Sequence, residues 1–151
     1  MQPSEIQDTL NSIRKDLYRY RNGIMAETLR SNNLPFKHIF GLILPQLKEI
    51  SRQYPKDIDL AKELWKQEDC RESRLIGILL APASSISKDD LQVFITGVKT
   101  HEEADLLAFF LLRNIPDTKK FYTELDSSDI PSGNELGGYL MNMYKRNIDQ
   151  L

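Results

Sequence analysis

The sequence of 151 residues has one cysteine, two histidines and no long apolar run, and each scarcity excludes a class of protein. Cys70 alone cannot build an intrachain disulfide framework, so we expect a reducing compartment, the cytoplasm. Cys70, His38 and His101 together cannot supply a Cys/His zinc site, and the sequence predicts no metal and no cofactor. The longest apolar run, Leu106–Leu112, is far shorter than the roughly 20 residues of a membrane span, so we expect no membrane partner.

An excess of positive charge is also missing. Twenty basic residues stand against 22 acidic ones, and the net charge of −2 argues against a broadly basic surface. The charge is uneven, because residues 1–75 carry 13 basic and 11 acidic residues whereas residues 76–151 carry 7 and 11. Between residues 14 and 37, six basic residues face two acidic ones, with Tyr18 and Tyr20 interleaved. This segment fits either a phosphate-binding patch or an ordinary solvated helix face.

Helix signals fill the sequence, whereas hairpin and strand signals are scarce. Apolar residues recur at helical spacing after residues that favour helix starts, namely Ser4, Asp57, Asp69, Ser87, Thr100 and Ser132. Gly41 is expected to permit a turn, and Trp65 is expected to pack in the core with its apolar neighbours. The sequence therefore predicts an all-α fold of about nine short helices, in a single domain over residues 1–151.

An internal repeat organises these helices. Residues 69–80 and 100–111 share a cap position, a glutamate three residues later and four apolar positions, at an offset of 31 residues. A helical hairpin that recurs at such an interval is typical of an α-solenoid, in which each pair buries its apolar face on its neighbours. The repeat predicts an α–α superhelix, and residues 117–151 are expected to form a cap.

Asp105 is the position at which the two copies of the repeat differ most in chemistry. It aligns with Arg74 of the first copy and lies beyond the capping positions of its helix. Its neighbours on the same helix face are expected to be His101, Phe109 and Leu112. A carboxylate among such groups needs a cationic partner when it is enclosed. Both an ion pair within the fold and a functional site remain open at this point.

Four segments in order carry a resemblance to a known family. Residues 40–50 (FGLILPQLKEI), 60–65 (LAKELW), 71–80 (RESRLIGILL) and 100–105 (THEEAD) resemble motifs of the AlkD-like DNA alkylation repair family. The resemblance covers about residues 20–115. It implies a superhelix of HEAT-like helical hairpins that removes cationic N3- and N7-alkylated purines from duplex DNA, held along its backbone by a basic surface.

The resemblance also assigns candidate site residues. Asp105 matches the family's aspartate that stabilises the sugar cation during base release. His101 stands where the family has a tryptophan beside the deoxyribose, and Glu102 replaces another aspartate. We assign candidate phosphate contacts to three cations, Lys37, Arg71 and Arg74.

Two kinds of function remain open from the sequence. If the chain is an enzyme, it is expected to be an alkylpurine DNA N-glycosylase, and Asp105 should then line an open groove next to a positive surface. The alternative is a non-enzymatic HEAT-like adaptor that binds a protein or peptide, or a second copy of itself, through an apolar surface around Phe109 and Leu112. The adaptor hypothesis requires Asp105 to pair with a neighbouring cation.

Overall fold

Helices make up the secondary structure of the described part of the chain. The computed structural model describes residues 1–127 and 135–151. Within these ranges nine α-helices and no strand are present, and a single isolated parallel bridge joins His38 and Cys70. The predicted all-α class is confirmed, whereas the superhelical arrangement and the single domain stay predictions. The chain divides into two units, Met1–Ala81 (unit 1) and Pro82–Leu151 (unit 2).

Unit 1 contains five α-helices: α1 (Pro3–Arg19), α2 (Gly23–Ser31), α3 (Leu44–Ser51), α4 (Ile58–Trp65) and α5 (Arg71–Leu80). All ten residues of α5 are buried, and this helix packs against α1, α3 and α4. Gly77 brings α5 close to α4, because a Cβ atom there would lie 2.9 Å from the carbonyl oxygen of Ala61. Trp65 is buried at the end of α4, as predicted.

The described part of unit 2 contains α6 (Lys88–Thr96), α7 (His101–Leu106), α8 (Thr118–Ser127) and α9 (Glu135–Asp149). A π-helix (Leu107–Leu111) and a 3₁₀ turn (Leu112–Asn114) continue α7. The second copy of the repeat therefore changes its helical register after Leu106, whereas the first copy is a regular α-helix. The change was not predicted, and π-helical segments are frequent at functional sites.

The predicted helix starts have mixed outcomes. Asp57, Ser87 and Thr100 each cap a helix by accepting a backbone N–H three residues later, as predicted. Two other predictions are wrong. Ser4 lies inside α1, which begins at Pro3, and α5 begins after Cys70 with no side-chain cap from residue 69. The predicted start at residue 132 lies outside the described residues.

The longest helices of the described residues are α1, with 17 residues, and α9, with 15. In residues 1–127 and 135–151, no helix is both long enough and apolar enough to cross a membrane.

Candidate functional site

The start of α7 sets the position of the predicted site residues of unit 2. The Thr100 hydroxyl accepts the backbone N–H of Glu103 at 3.1 Å, and the Glu103 carboxylate accepts the backbone N–H of Lys99 at 2.8 Å. Glu103 is buried, so its carboxylate serves the helix start, as acids in a first turn commonly do. With the start fixed, His101 and Asp105 are four residues apart and share one face of α7.

Asp105 is half-buried, and its partner is a tyrosine rather than a cation. The Tyr139 hydroxyl of α9 donates to Oδ1 of Asp105 at 2.7 Å. Among the described residues, Asp105 forms no ion pair within 4 Å. The hydrogen bond to Asp105 raises the pKa of Tyr139 above its ordinary value, with burial and the Asp105 charge adding to the effect and Arg146 opposing it. Tyr139 therefore stays protonated, and stays a donor, at neutral pH.

His101 belongs to the same cluster through its ring. The imidazole is exposed and meets the Tyr139 ring edge to face, with centroids 4.5 Å apart and planes at 80°. We call His101, Asp105 and Tyr139 the α7–α9 cluster. Sequence reasoning missed Tyr139, because it lies 34 residues after Asp105 and only the packing of α9 on α7 joins them. Residues at such a separation leave no local periodicity to detect.

The chemistry of the α7–α9 cluster suits a positively charged, planar ligand. The Tyr139 hydroxyl adds no charge beside the Asp105 carboxylate, and the face of a tyrosine ring attracts cations. A partly enclosed setting strengthens such attraction relative to water. No three His, Cys, Asp or Glu side chains of the described ranges form a group that could hold a metal ion.

The structure places the predicted phosphate contacts of unit 1 in two different environments. Arg71 is 4% exposed, donates to the Leu42 carbonyl at 3.0 Å and forms an ion pair with the fully buried Glu72. Arg74 is 1% exposed, donates to the Trp65 carbonyl at 2.6 Å and stacks on the Trp65 ring. Both guanidinium groups thus hold the interior of unit 1.

Lys37, in contrast, is exposed and follows the buried Phe36. Its side chain can therefore meet a phosphate without any rearrangement of the core. Phosphate binding by Lys37 stays a prediction, whereas the burial and contacts of Arg71 and Arg74 assign both guanidinium groups to stabilising the fold.

A second group of cations of unit 1 lies on its surface with aromatic rings between them. The Arg14 guanidinium lies 5.8 Å from the Phe40 ring centroid, and the Arg21 guanidinium lies 4.0 Å from that of Tyr18. The Tyr18 and Phe40 rings meet edge to face at 6.5 Å. We call these four residues the arginine–aromatic surface. It adjoins a shallow cavity of about 480 Å³ whose lining includes Arg19, Arg21, Arg30 and Phe40.

The apolar surface expected around Phe109 and Leu112 is smaller than predicted. Leu112 is fully buried, and the π-helix places Phe109 at 42% exposure. The Arg113 guanidinium lies 4.2 Å from the Phe109 ring centroid. An apolar docking face built on these two positions is therefore reduced to one ring.

A family model described as DNA alkylation repair enzyme matches residues 13–125, about three quarters of the chain. This match confirms the resemblance drawn from residues 40–105. Comparison with curated proteins gave no match, and comparison with solved structures gave none.

Proposed function

We propose a DNA-directed enzymatic function for this chain, which belongs to the DNA alkylation repair enzyme family. Membership supports a role related to the repair of alkylated DNA. The finer proposal is that the chain binds duplex DNA and releases N3- or N7-alkylated purines, which carry a positive charge. Unit 1 supplies phosphate contacts and unit 2 supplies the group that acts on the lesion.

The observation that carries the proposal is the partner of Asp105. Asp105 is half-exposed, accepts the neutral Tyr139 hydroxyl and forms no ion pair within 4 Å among the described residues, so no neighbouring cation offsets its charge. Its charge is therefore available to a ligand.

In the proposed base-release reaction, the main contribution of the protein is a negative charge held close to the sugar. Breaking the bond between C1′ and the purine N9 sends the electron pair to the base, which leaves neutral, and the sugar becomes an oxocarbenium ion. Water then bonds to C1′ and gives a proton to solvent. In this proposal Asp105 stabilises the positive charge as it moves to the sugar, and His101 stands beside the sugar.

A first prediction tests Asp105 directly. In a duplex carrying 7-methylguanine, Asp105→Asn is expected to lower the single-turnover rate of base release by about 100-fold, because a neutral amide loses the electrostatic stabilisation. Released base is measured by chromatography. The control is Asp89→Asn, which neutralises an exposed aspartate of α6 and is expected to leave the rate unchanged.

Two results would contradict this function. Absence of base release by the unaltered chain, together with absence of salt-dependent duplex binding, removes the repair hypothesis. Equal rates for Asp105→Asn and Asp89→Asn, with both proteins folded, remove Asp105 from the reaction.

A second prediction concerns the arginine–aromatic surface. Duplex affinity is expected to fall with salt, and the double variant Arg14→Gln/Arg21→Gln should lower the slope of log K against log salt by about 2, one unit for each phosphate contact. Fluorescence anisotropy with unmodified duplex measures both quantities. Arg52→Gln is the matched control, since Arg52 is an exposed arginine of unit 1 paired with Glu49. An identical slope for all three proteins would place the DNA contacts elsewhere.

A further inference from the structure

The Asp105 carboxylate has two oxygens in unequal settings. Oδ1 accepts the Tyr139 hydroxyl at 2.7 Å, whereas no donor from residues 1–127 or 135–151 reaches Oδ2. One fixed oxygen restricts rotation of the carboxylate about its last torsion angle, because the hydrogen bond must be broken for the group to turn. The other oxygen keeps a defined direction and accepts from no donor of the described residues.

We propose that Tyr139 is a positioning residue that orients Asp105 toward a cationic ligand and supports His101 beside it. The proposal rests on the function proposed above and adds a residue that neither the sequence nor the family match identifies. The hydroxyl and the ring of Tyr139 have separate tasks. The hydroxyl holds Oδ1 of Asp105, and the ring holds the His101 imidazole edge to face at 4.5 Å.

A tyrosine suits this task better than an arginine or a lysine. A cation at Oδ1 would orient the carboxylate but would also offset its charge, and the attraction for a cationic ligand would fall. The phenol donates one hydrogen bond and adds no charge. The charged group of α9 that acts on Tyr139 is Arg146, and it forms no ion pair with Asp105 within 4 Å among the described residues.

Tyr139 joins the cluster to a second helix. Asp105 and His101 lie on α7, a helix of six residues, and Tyr139 lies on α9, a helix of 15 residues that packs on α7 and on the π-helix after it. A hydrogen bond and a ring contact to a second helix restrict these side chains more than their own helix does alone. Tyr139 therefore adds long-range support to a locally formed pair of residues.

The variant Tyr139→Phe separates the two tasks, because it keeps the ring and removes the hydroxyl. We expect its single-turnover rate of 7-methylguanine release to fall roughly tenfold, as for the loss of a hydrogen bond to a charged group. Its dissociation constant for unmodified duplex should stay within about twofold of the unaltered chain, since phosphate contacts are assigned to unit 1. Tyr139→Leu also removes the ring and is expected to lower the rate further.

The matched control is Tyr54→Phe. It removes the same kind of hydrogen bond, from the Tyr54 hydroxyl to Asp16 at 2.6 Å, in unit 1. The rate of base release should stay that of the unaltered chain. Thermal denaturation of both variants shows whether each protein is folded.

A measurement without DNA tests the pairing itself. Tyrosine labelled with ¹³C at Cζ reports the titration of each phenol by NMR. Tyr139 should titrate above the ordinary tyrosine pKa of about 10 in the unaltered chain, and Asp105→Asn should return it toward that value, because the carboxylate is the main cause of the raised pKa. This readout does not depend on enzymatic activity.

The outcomes distinguish the two proposals. An unchanged Tyr139 titration in Asp105→Asn, or a full rate in folded Tyr139→Phe, overturns the positioning role and leaves the proposed function standing. Absence of base release by the unaltered chain overturns the proposed function and, with it, the role of Tyr139 in the reaction. A tenfold lower rate with unchanged duplex affinity supports both.

Discussion

Replacing Glu72 with alanine is expected to lower the free energy of unfolding by about 3–5 kcal/mol, because it breaks a buried ion pair. The Glu72 carboxylate is fully buried, pairs with Arg71 and accepts the backbone N–H groups of Phe40 and Gly41 at 3.0 Å each. Alanine would remove the carboxylate that pairs with the buried Arg71 and that accepts two backbone N–H groups. Urea unfolding followed by circular dichroism measures the loss.

The control for Glu72 is another glutamate paired with an arginine, but on the surface. Glu49 contacts Arg52 at 3.0 Å, and its side chain is 59% exposed. Glu49→Ala is expected to change stability by less than about 1 kcal/mol, because exposed ion pairs contribute little. Equal losses for the two variants would mean that the Glu72 network does not stabilise unit 1.

The Glu72 network also illustrates what the sequence can and cannot predict. Thr100, Ser87 and Asp57 were predicted as caps, since a cap and its N–H partner are three residues apart and their geometry is local. The same pattern at residues 69–72 was misleading. Glu72 accepts the backbone N–H groups of two residues that lie 31 and 32 positions earlier in the chain. No local spacing in the sequence indicates this pairing.

The candidate site shows the same difference between local contacts, which the sequence predicts, and long-range contacts, which it does not. His101 and Asp105 share a face of α7 because they are four residues apart, so sequence spacing was enough to pair them. Tyr139 joins them only through the packing of α9 on α7. Arg71 and Arg74 were assigned to phosphate contacts from their charge, but charge does not tell which face of a helix is buried. On α5 every face is buried, and both arginines serve the interior.

Gly41→Ala adds only a methyl group but is expected to lower the free energy of unfolding substantially. Gly41 has a φ of +84°, and a Cβ atom there would lie 2.3 Å from the Asn22 carbonyl oxygen and 2.8 Å from the Ala26 nitrogen. The left-handed backbone costs alanine about 1–2 kcal/mol, and relief of the steric overlap adds about 1–3 kcal/mol. We therefore expect a loss of about 2–5 kcal/mol in the free energy of unfolding, measured by urea denaturation.

This substitution also links the fold of unit 1 to its proposed DNA contacts. Gly41 follows Phe40, whose carbonyl accepts the Asn22 N–H at 2.7 Å and whose ring lies near the Arg14 guanidinium and the Tyr18 ring. Because an added methyl group pushes Asn22 away from this turn, duplex affinity should fall together with stability. Gly23→Ala is the matched control, since a Cβ atom there meets nothing within 4 Å. Wild-type stability and affinity in Gly41→Ala would show that the close contact between this turn and the start of α2 is not required.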